Sequence, residues 1–202
     1  MKWKVCGMRD PKNVAELAAL QPNYMGFILW KGSKRYCPNP PEIPAGIIKV
    51  GVFVDATLEY IENAITDFNL GAVQLHGKES PSFCRALKDK TQVIKAFSVG
   101  DSFDFETLTD YLPYCDFFLF DTKGALPGGN GTAFDWALLN NYPLDIPFFI
   151  SGGIGLAEIN KINEICKSDL PVYAVDVNSK FETAPGLKNT EQLNTFKEKL
   201  AL

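Results

Sequence analysis

Eight short runs of β-branched, aromatic and other apolar residues divide this chain: Trp3–Cys6, Tyr24–Leu29, Ile48–Val54, Ala72–Leu75, Val93–Phe97, Phe117–Phe120, Phe148–Ile150 and Tyr173–Val177. A strand that is apolar on both faces has to be covered on both faces, which is the situation of a parallel sheet flanked by helices. Segments with helical periodicity separate most of the runs, clearest at Lys12–Leu20, Thr57–Phe68, Pro81–Lys88, Ala157–Cys166 and Glu191–Leu200. Helix starts are signalled by Asp10 before Pro11, by Asp55 and Thr57, and by Ser80 before Pro81. Eight strands alternating with helices in 202 residues fit an α/β fold of one domain, residues 1–202, as a compact (β/α)8 barrel. A doubly wound open sheet is the alternative. The proline-rich piece Pro38–Pro44 belongs to a connection after the second strand, because proline cannot join a central ladder.

A chain of this length with 46% hydrophobic residues can build one core without a metal or a disulfide. Twenty basic against twenty-four acidic residues give a net charge of -4 with no run of like charge, so no nucleic acid and no anionic membrane is expected as a partner. No apolar stretch approaches the about 18 residues that span a bilayer, and Met1 leads straight into WKVCG, so a cytoplasmic protein is expected. The five cysteines are odd in number, widely spaced and without a CxxC pair, which argues against both a disulfide framework and a zinc site. Monomer and homodimer both stay open, since pattern alone does not separate surface apolar residues from core ones.

In parallel α/β barrels ligands bind where the carboxyl ends of the strands meet the following loops. Cys6 ends the first strand beside Gly7, either as a reactive thiol or as a small buried hydrophobe. Asp121 follows four apolar residues, a costly place for a carboxylate unless it is paired or at work. Asp176 lies inside Val175–Val177, where a structural carboxylate bonded to backbone amides is expected. His76, the one histidine, follows the fourth strand at the mouth and reads as a hydrogen-bonded neighbour or an acid–base group. Gly129 and Gly131 in Gly128–Thr132, and Gly152 and Gly153 after the seventh strand, expose backbone N–H groups suited to phosphate, with Asn178 and Ser179 in the next loop. Arg35, in the cluster Lys31–Tyr36, is the natural bidentate anchor for an acidic substrate group, whereas Lys31 and Lys34 read as solvated surface. Trp3, Trp30 and Trp136 read as packing residues.

Taken in order, KVCGM, SKRYCP, VQLHG, FDT, GG-G-FDW, SGGI and VDVNS-FE resemble the motifs of phosphoribosylanthranilate isomerases of tryptophan biosynthesis along nearly the whole chain. The resemblance implies a (β/α)8 barrel and a cofactor-free Amadori rearrangement of a phosphosugar, needing neither metal nor nicotinamide. It also implies Cys6 as general base, Asp121 as general acid and Arg35 as the group that holds the anthranilate carboxylate. Phosphate would rest on amides of Gly152, Gly153 and the Asn178–Ser179 turn, with the Gly129–Gly131 loop closing nearby. To act as a base Cys6 must reach its thiolate, so nearby amide dipoles or a cation should lower its pKa. The sequence departs from the family pattern at Asn130 and Lys180. Two other functions share the phosphate architecture: a histidine-pathway phosphoribosyl isomerase, which has an aspartate where this chain has Cys6, and a non-catalytic phosphosugar-binding barrel, which needs neither Cys6 nor Asp121.

Overall fold

A computed structural model describes residues 1–100, 103–122 and 136–200. Eight parallel strands close into a barrel in sequence order: β1 (Lys2–Val5), β2 (Tyr24–Ile28), β3 (Ile48–Phe53), β4 (Ala72–Leu75), β5 (Gln92–Val99), β6 (Phe117–Thr122), β7 (Phe148–Ile150) and β8 (Val172–Val177). Closure is made by β1 against β8, with Lys2, Trp3, Lys4 and Val5 opposite Ala174, Val175, Asp176 and Val177. That pairing replaces the open-sheet alternative, in which the first and last strands would not meet.

Helices α1 (Pro11–Ala18), α2 (Leu58–Asp67), α3 (Pro81–Leu87), α4 (Ile159–Ile165) and α5 (Thr190–Lys199) cover the outside. Asp10, Thr57 and Ser80 cap α1, α2 and α3 by accepting the amides of Asn13, Tyr60 and Phe83, as their sequence positions suggest. Asp55 does not cap. It sits at φ 48°, and its carboxylate instead accepts the amide of Lys78 at 2.6 Å, tying the loop after β3 to the loop after β4. The alternation of strand and helix is also less regular than the sequence suggests. No α-helix links β2 to β3, and the described part of the β5–β6 connection carries a 3-10 turn at Phe105–Tyr111. After β8 the chain adds a two-stranded hairpin, β9 (Glu182–Ala184) and β10 (Leu187–Lys188), which lies outside the barrel sheet.

Side chains alternate along each strand, so the interior and exterior cores are distinct. Tyr24, Val50, Ala72, Ile94, Phe117, Leu119, Phe149 and Ala174 fill the barrel. There the Tyr24 and Tyr173 hydroxyls meet at 3.0 Å and the Tyr24 and Phe149 rings pack edge to face. Their neighbours Trp3, Val5, Phe118, Phe120, Phe148 and Val175 point outward into the layer beneath the helices. Phe120 is the hub of an aromatic cluster there, touching Phe103, Phe105, Tyr142 and Phe148 with centroid separations of 5.1–6.2 Å. Because Phe120 is fully buried and carries Asp121 on the next position of β6, Phe120→Ala is expected to lower unfolding stability by about 3–5 kcal/mol, measured by urea denaturation.

Candidate active site

The same alternation that plugs the barrel with apolar residues places a different set above them. One step beyond Leu119, Ala72, Phe149 and Ala174 on the inward face come Asp121, Gln74 then His76, Ser151, and Asp176; Lys4 and Cys6 do the same on β1. All of these but Lys4, which is fully buried beneath them, line one cavity at the carboxyl ends of the strands, together with Arg35, Gly152, Gly153, Asn178 and Ser179. The space, open mouth included, is ≈ 680 Å3. Among the candidate site residues named from sequence, Gly129 and Gly131, with Asn130 between them, lie outside the described residues; Cys6, Arg35, His76, Asp121, Gly152, Gly153, Asp176, Asn178 and Ser179 all line this cavity. Lys180 is exposed and packs beside Gly155.

Asp121 is 3% exposed. Its Oδ1 accepts the Thr122 amide at 2.9 Å, and its Oδ2 stands 3.3 Å from His76 Nε2. On the far side of the ring, Gln74 Nε2 lies 2.9 Å from His76 Nδ1, so the amide donates to Nδ1 and the imidazole turns Nε2–H toward Asp121. Gln74 is therefore a site residue that the sequence reading overlooked, although its place two residues before His76 puts both on one strand face.

Cys6 is buried, and its amide continues the β1–β8 ladder by donating to Val177 O at 2.9 Å. Burial pushes its thiol above the ordinary cysteine range, and Lys4 and Lys188 pull against this without reversing it. The expectation of a lowered pKa is thus overturned, because the cost of desolvating a thiolate at this depth exceeds the attraction of the two cations. Lys4 was also missed. A methyl group added at Gly26 would fall 2.7 Å from Cys6 Sγ and 3.2 Å from Lys4 Cε, so both side chains crowd the same glycine. Lys4 Nζ donates to Asp176 Oδ1 at 2.9 Å; burial works to lower its pKa, but Asp176 and the neighbouring Cys6 outweigh that and hold the ammonium above its ordinary value. Asp176 accepts from Lys4 and, at 3.3 Å, from Ser151 Oγ, rather than from backbone amides as its position suggests.

Arg35 enters the cavity wall from the loop after β2, and the structure adds two partners to it. Glu182 Oε1 and Oε2 accept from Arg35 Nε and Nη2 at 2.8 and 2.7 Å, and Lys188 Nζ donates to Glu182 Oε1 at 2.6 Å. Burial works against the Glu182 carboxylate, but Arg35 and Lys188 together hold its pKa below the ordinary range. Burial lowers Lys188 to about 8, with Glu182 opposing, so its ammonium persists at neutral pH. Glu182 stood in the VNS-FE motif without a role, and Lys188 had no local signal at all. Trp30 is another correction: instead of packing in the core it is half-buried and forms part of the cavity wall, its ring lying over Gly32.

The turn after β7 exposes backbone amides to the cavity. Gly152 and Gly153 adopt φ 89° and 64°, the left-handed region that glycine tolerates. The amides of Gly153, Ile154 and Ser179 donate to no acceptor among the described residues. Among those residues no group of three or more His, Cys, Asp or Glu side chains is placed to hold a metal ion, and no helix is long and apolar enough to cross a membrane.

Known proteins with this arrangement are consistent with one another. Residues 3–199 match the family model of N-(5'-phosphoribosyl)anthranilate (PRA) isomerase. An N-(5'-phosphoribosyl)anthranilate isomerase of Parabacteroides distasonis is 41% identical over 202 residues, covering 96% of this chain and 90% of the relative. The crystal structure of phosphoribosyl anthranilate isomerase from Thermus thermophilus superposes with a TM-score of 0.87 at 27% identity, covering 100% of this chain and 98% of the other. A phosphoribosyl anthranilate isomerase in complex with reduced 1-(o-carboxyphenylamino)-1-deoxyribulose 5-phosphate superposes with a TM-score of 0.83 at 28% identity, covering 100% and 98%. A closed eight-stranded barrel, a thiol and a carboxylate facing one another's cavity, and a family match over nearly the whole chain lead to one assignment: this chain belongs to the N-(5'-phosphoribosyl)anthranilate isomerase family.

Proposed function

We propose that this chain catalyses the Amadori rearrangement of N-(5-phosphoribosyl)anthranilate to 1-(2-carboxyphenylamino)-1-deoxyribulose 5-phosphate in tryptophan biosynthesis, with Cys6 as general base and Asp121 as general acid. The observation that carries this reading is the convergence on one cavity of Cys6, Asp121, Arg35 and the backbone of Gly152, Gly153 and Ser179. Those groups match the three parts of the substrate: a sugar to be opened, an aromatic carboxylate and a phosphate.

Phosphate rests on the amides after β7 and β8, and the anthranilate lies against Trp30 with its carboxylate toward Arg35. Asp121, protonated, gives its proton to the furanose ring oxygen; the bond from that oxygen to C1 breaks, and the nitrogen lone pair forms the C1=N double bond. His76 holds the acid in place. The Cys6 thiolate then takes the proton from C2, and the C2–H electron pair moves to form the C1=C2 bond of an enolamine as the iminium is neutralised. Loss of the C2 hydroxyl proton and protonation of C1 deliver the amino ketone, so the atoms rearrange with no net oxidation. Lys4, kept charged by Asp176, is the cation nearest to the base and favours the thiolate as it forms.

Cys6→Ser is expected to keep ligand binding and to lose at least about a hundredfold in turnover, the usual scale for a positioned base. Asp121→Asn should be nearly inactive yet still bind reduced 1-(o-carboxyphenylamino)-1-deoxyribulose 5-phosphate by calorimetry, since the phosphate and carboxylate contacts are untouched. Wild-type turnover in either variant would remove that residue from the mechanism.

The raised Cys6 pKa has a direct kinetic sign. A thiol whose pKa is raised is mostly protonated at neutral pH, and only the thiolate is nucleophilic, so the rate of Cys6 alkylation by iodoacetamide should keep rising with pH past the ordinary cysteine value of about 8.5. Mass spectrometry of the Cys6 peptide reads that rate separately from the other cysteines. A Cys6 alkylation rate that levels off well below the cysteine range would overturn the raised pKa.

A further inference from the structure

The hairpin β9–β10 lies outside the barrel, yet it delivers two buried charged side chains to the edge of the cavity. Glu182 opens β9 and Lys188 closes β10, and both are nearly or fully buried, with side-chain exposures of 6% and 0%. The hairpin is anchored by its backbone: Asn13 of α1 accepts from Lys188 N at 2.7 Å and donates to Lys188 O at 2.9 Å. Neither side chain donates or accepts a proton in the acid–base chemistry, although Lys188 attracts the Cys6 thiolate.

The geometry of the guanidinium explains what they do. Arginine offers two edges that can each hold a carboxylate in the plane of the group, one through Nε and Nη2 and the other through Nη1 and Nη2. Glu182 occupies the first edge. The second edge has no partner among the described residues, and Arg35 itself lines the cavity. Arg35 also runs against the backbone beside the base, since a Cβ on Gly7 would lie 2.7 Å from Arg35 Cδ. With one edge fixed and its stem pressed on Gly7, the plane of the guanidinium is set before a ligand arrives, so less ordering is left to be done on binding.

Fixing arginine with a carboxylate has an electrostatic cost. The Arg35–Glu182 pair alone is neutral, and Glu182 would repel an incoming carboxylate. Lys188 corrects this. One negative and two positive side chains leave the group with a net charge of +1, and the third and second hydrogens of the Lys188 ammonium are directed at Asn178 Oδ1 (2.7 Å) and Asn178 O (3.3 Å). Asn178 belongs to the loop after β8 that lines the cavity beside Ser179, so Lys188 also joins the carboxylate end of the site to the phosphate end.

We propose that Glu182 and Lys188 are positioning residues for the substrate carboxylate: Glu182 fixes the plane of Arg35, and Lys188 restores the positive charge that Glu182 cancels. This rests on the reading of Arg35 as the carboxylate clamp.

The test is calorimetric binding of two probes to wild type, Arg35→Ala, Glu182→Gln, Lys188→Met and the Arg35→Ala/Glu182→Gln double variant. One probe is reduced 1-(o-carboxyphenylamino)-1-deoxyribulose 5-phosphate, and the other is its phenylamino counterpart lacking the carboxylate. Each single variant should weaken the carboxylate probe by about tenfold or more, the scale of a hydrogen bond to a charged group, and should change the other probe less than about threefold. The double variant should be no weaker than Arg35→Ala alone, because Glu182 acts through Arg35. Retained binding of the carboxylate-free probe reports that each variant is folded; if Lys188→Met loses both probes, the isosteric Glu182→Gln decides. If Arg35→Ala discriminates between the probes and Glu182→Gln weakens both equally or neither, the proposal is overturned and the clamp stands. If Arg35→Ala itself weakens both equally, the clamp is wrong and the proposal falls with it.

Discussion

The seam between β1 and β8 holds the structure and the site together, and a buried ion pair spans it. Lys4 and Asp176 are opposite one another in the closing register, and their side chains meet at 2.9 Å in the barrel interior. Taking both charges out of water costs several kcal/mol per ion, which their attraction offsets only with good geometry and further hydrogen bonds. Ser151 on the neighbouring strand end supplies one such bond. Two residues further on the same inward faces stand Cys6 and Asn178, so Cys6 and the loop after β8 are both aligned by this pair. A hydrophobic pair would close the barrel as well, but it would remove the stronger of the two cations that act on Cys6.

Below this layer the barrel is an aromatic and aliphatic plug; above it, the inward side chains of β1, β4, β6, β7 and β8 are polar, while Ile28, Val52 and Val54 keep the β2–β3 side apolar. The low dielectric created by the plug is why Cys6 sits above the usual thiol range and why Lys4 holds its proton only through Asp176 and Cys6. The same burial makes each interaction in the cavity stronger than it would be in water. A thiol that ionises reluctantly is compatible with the role proposed for Cys6, because the positive charge of the imine would arrive with the substrate's own chemistry.

Close approach of backbone is the other constraint. Gly152 at φ 89° lies so near the end of β6 that an added Cβ would be 2.2 Å from Thr122 Oγ1 and 2.8 Å from Asp121 Oδ1. The turn after β7 is therefore pressed against Asp121. A substitution there would move both at once, so the spacing between the Asp121 carboxylate and the amides of that turn is built into the contact between two strand ends.

How much of this was legible in the sequence depended on range. The eight apolar runs became the eight barrel strands to within a few residues, and Asp10, Thr57 and Ser80 capped their helices, because short continuous apolar runs and side-chain caps are determined over a few neighbouring positions. Cys6, Asp121, Arg35, His76, Gly152, Gly153, Asp176, Asn178 and Ser179 could be singled out by their places at strand ends, and Lys4 and Gln74 were within reach of the same alternation. What the sequence did not contain was who pairs with whom across the barrel. Glu182 meets Arg35 at a separation of 147 positions, and Lys4 meets Asp176 across 172. Closure brings those residues together, and only then is it decided that one edge of Arg35 has no partner among the described residues, that Trp30 forms a wall rather than a core, and that burial overrides the cations around Cys6. Local pattern selects strands, caps and candidate side chains; partners, charge balance and pKa direction arise from the three-dimensional field of groups brought together by the fold.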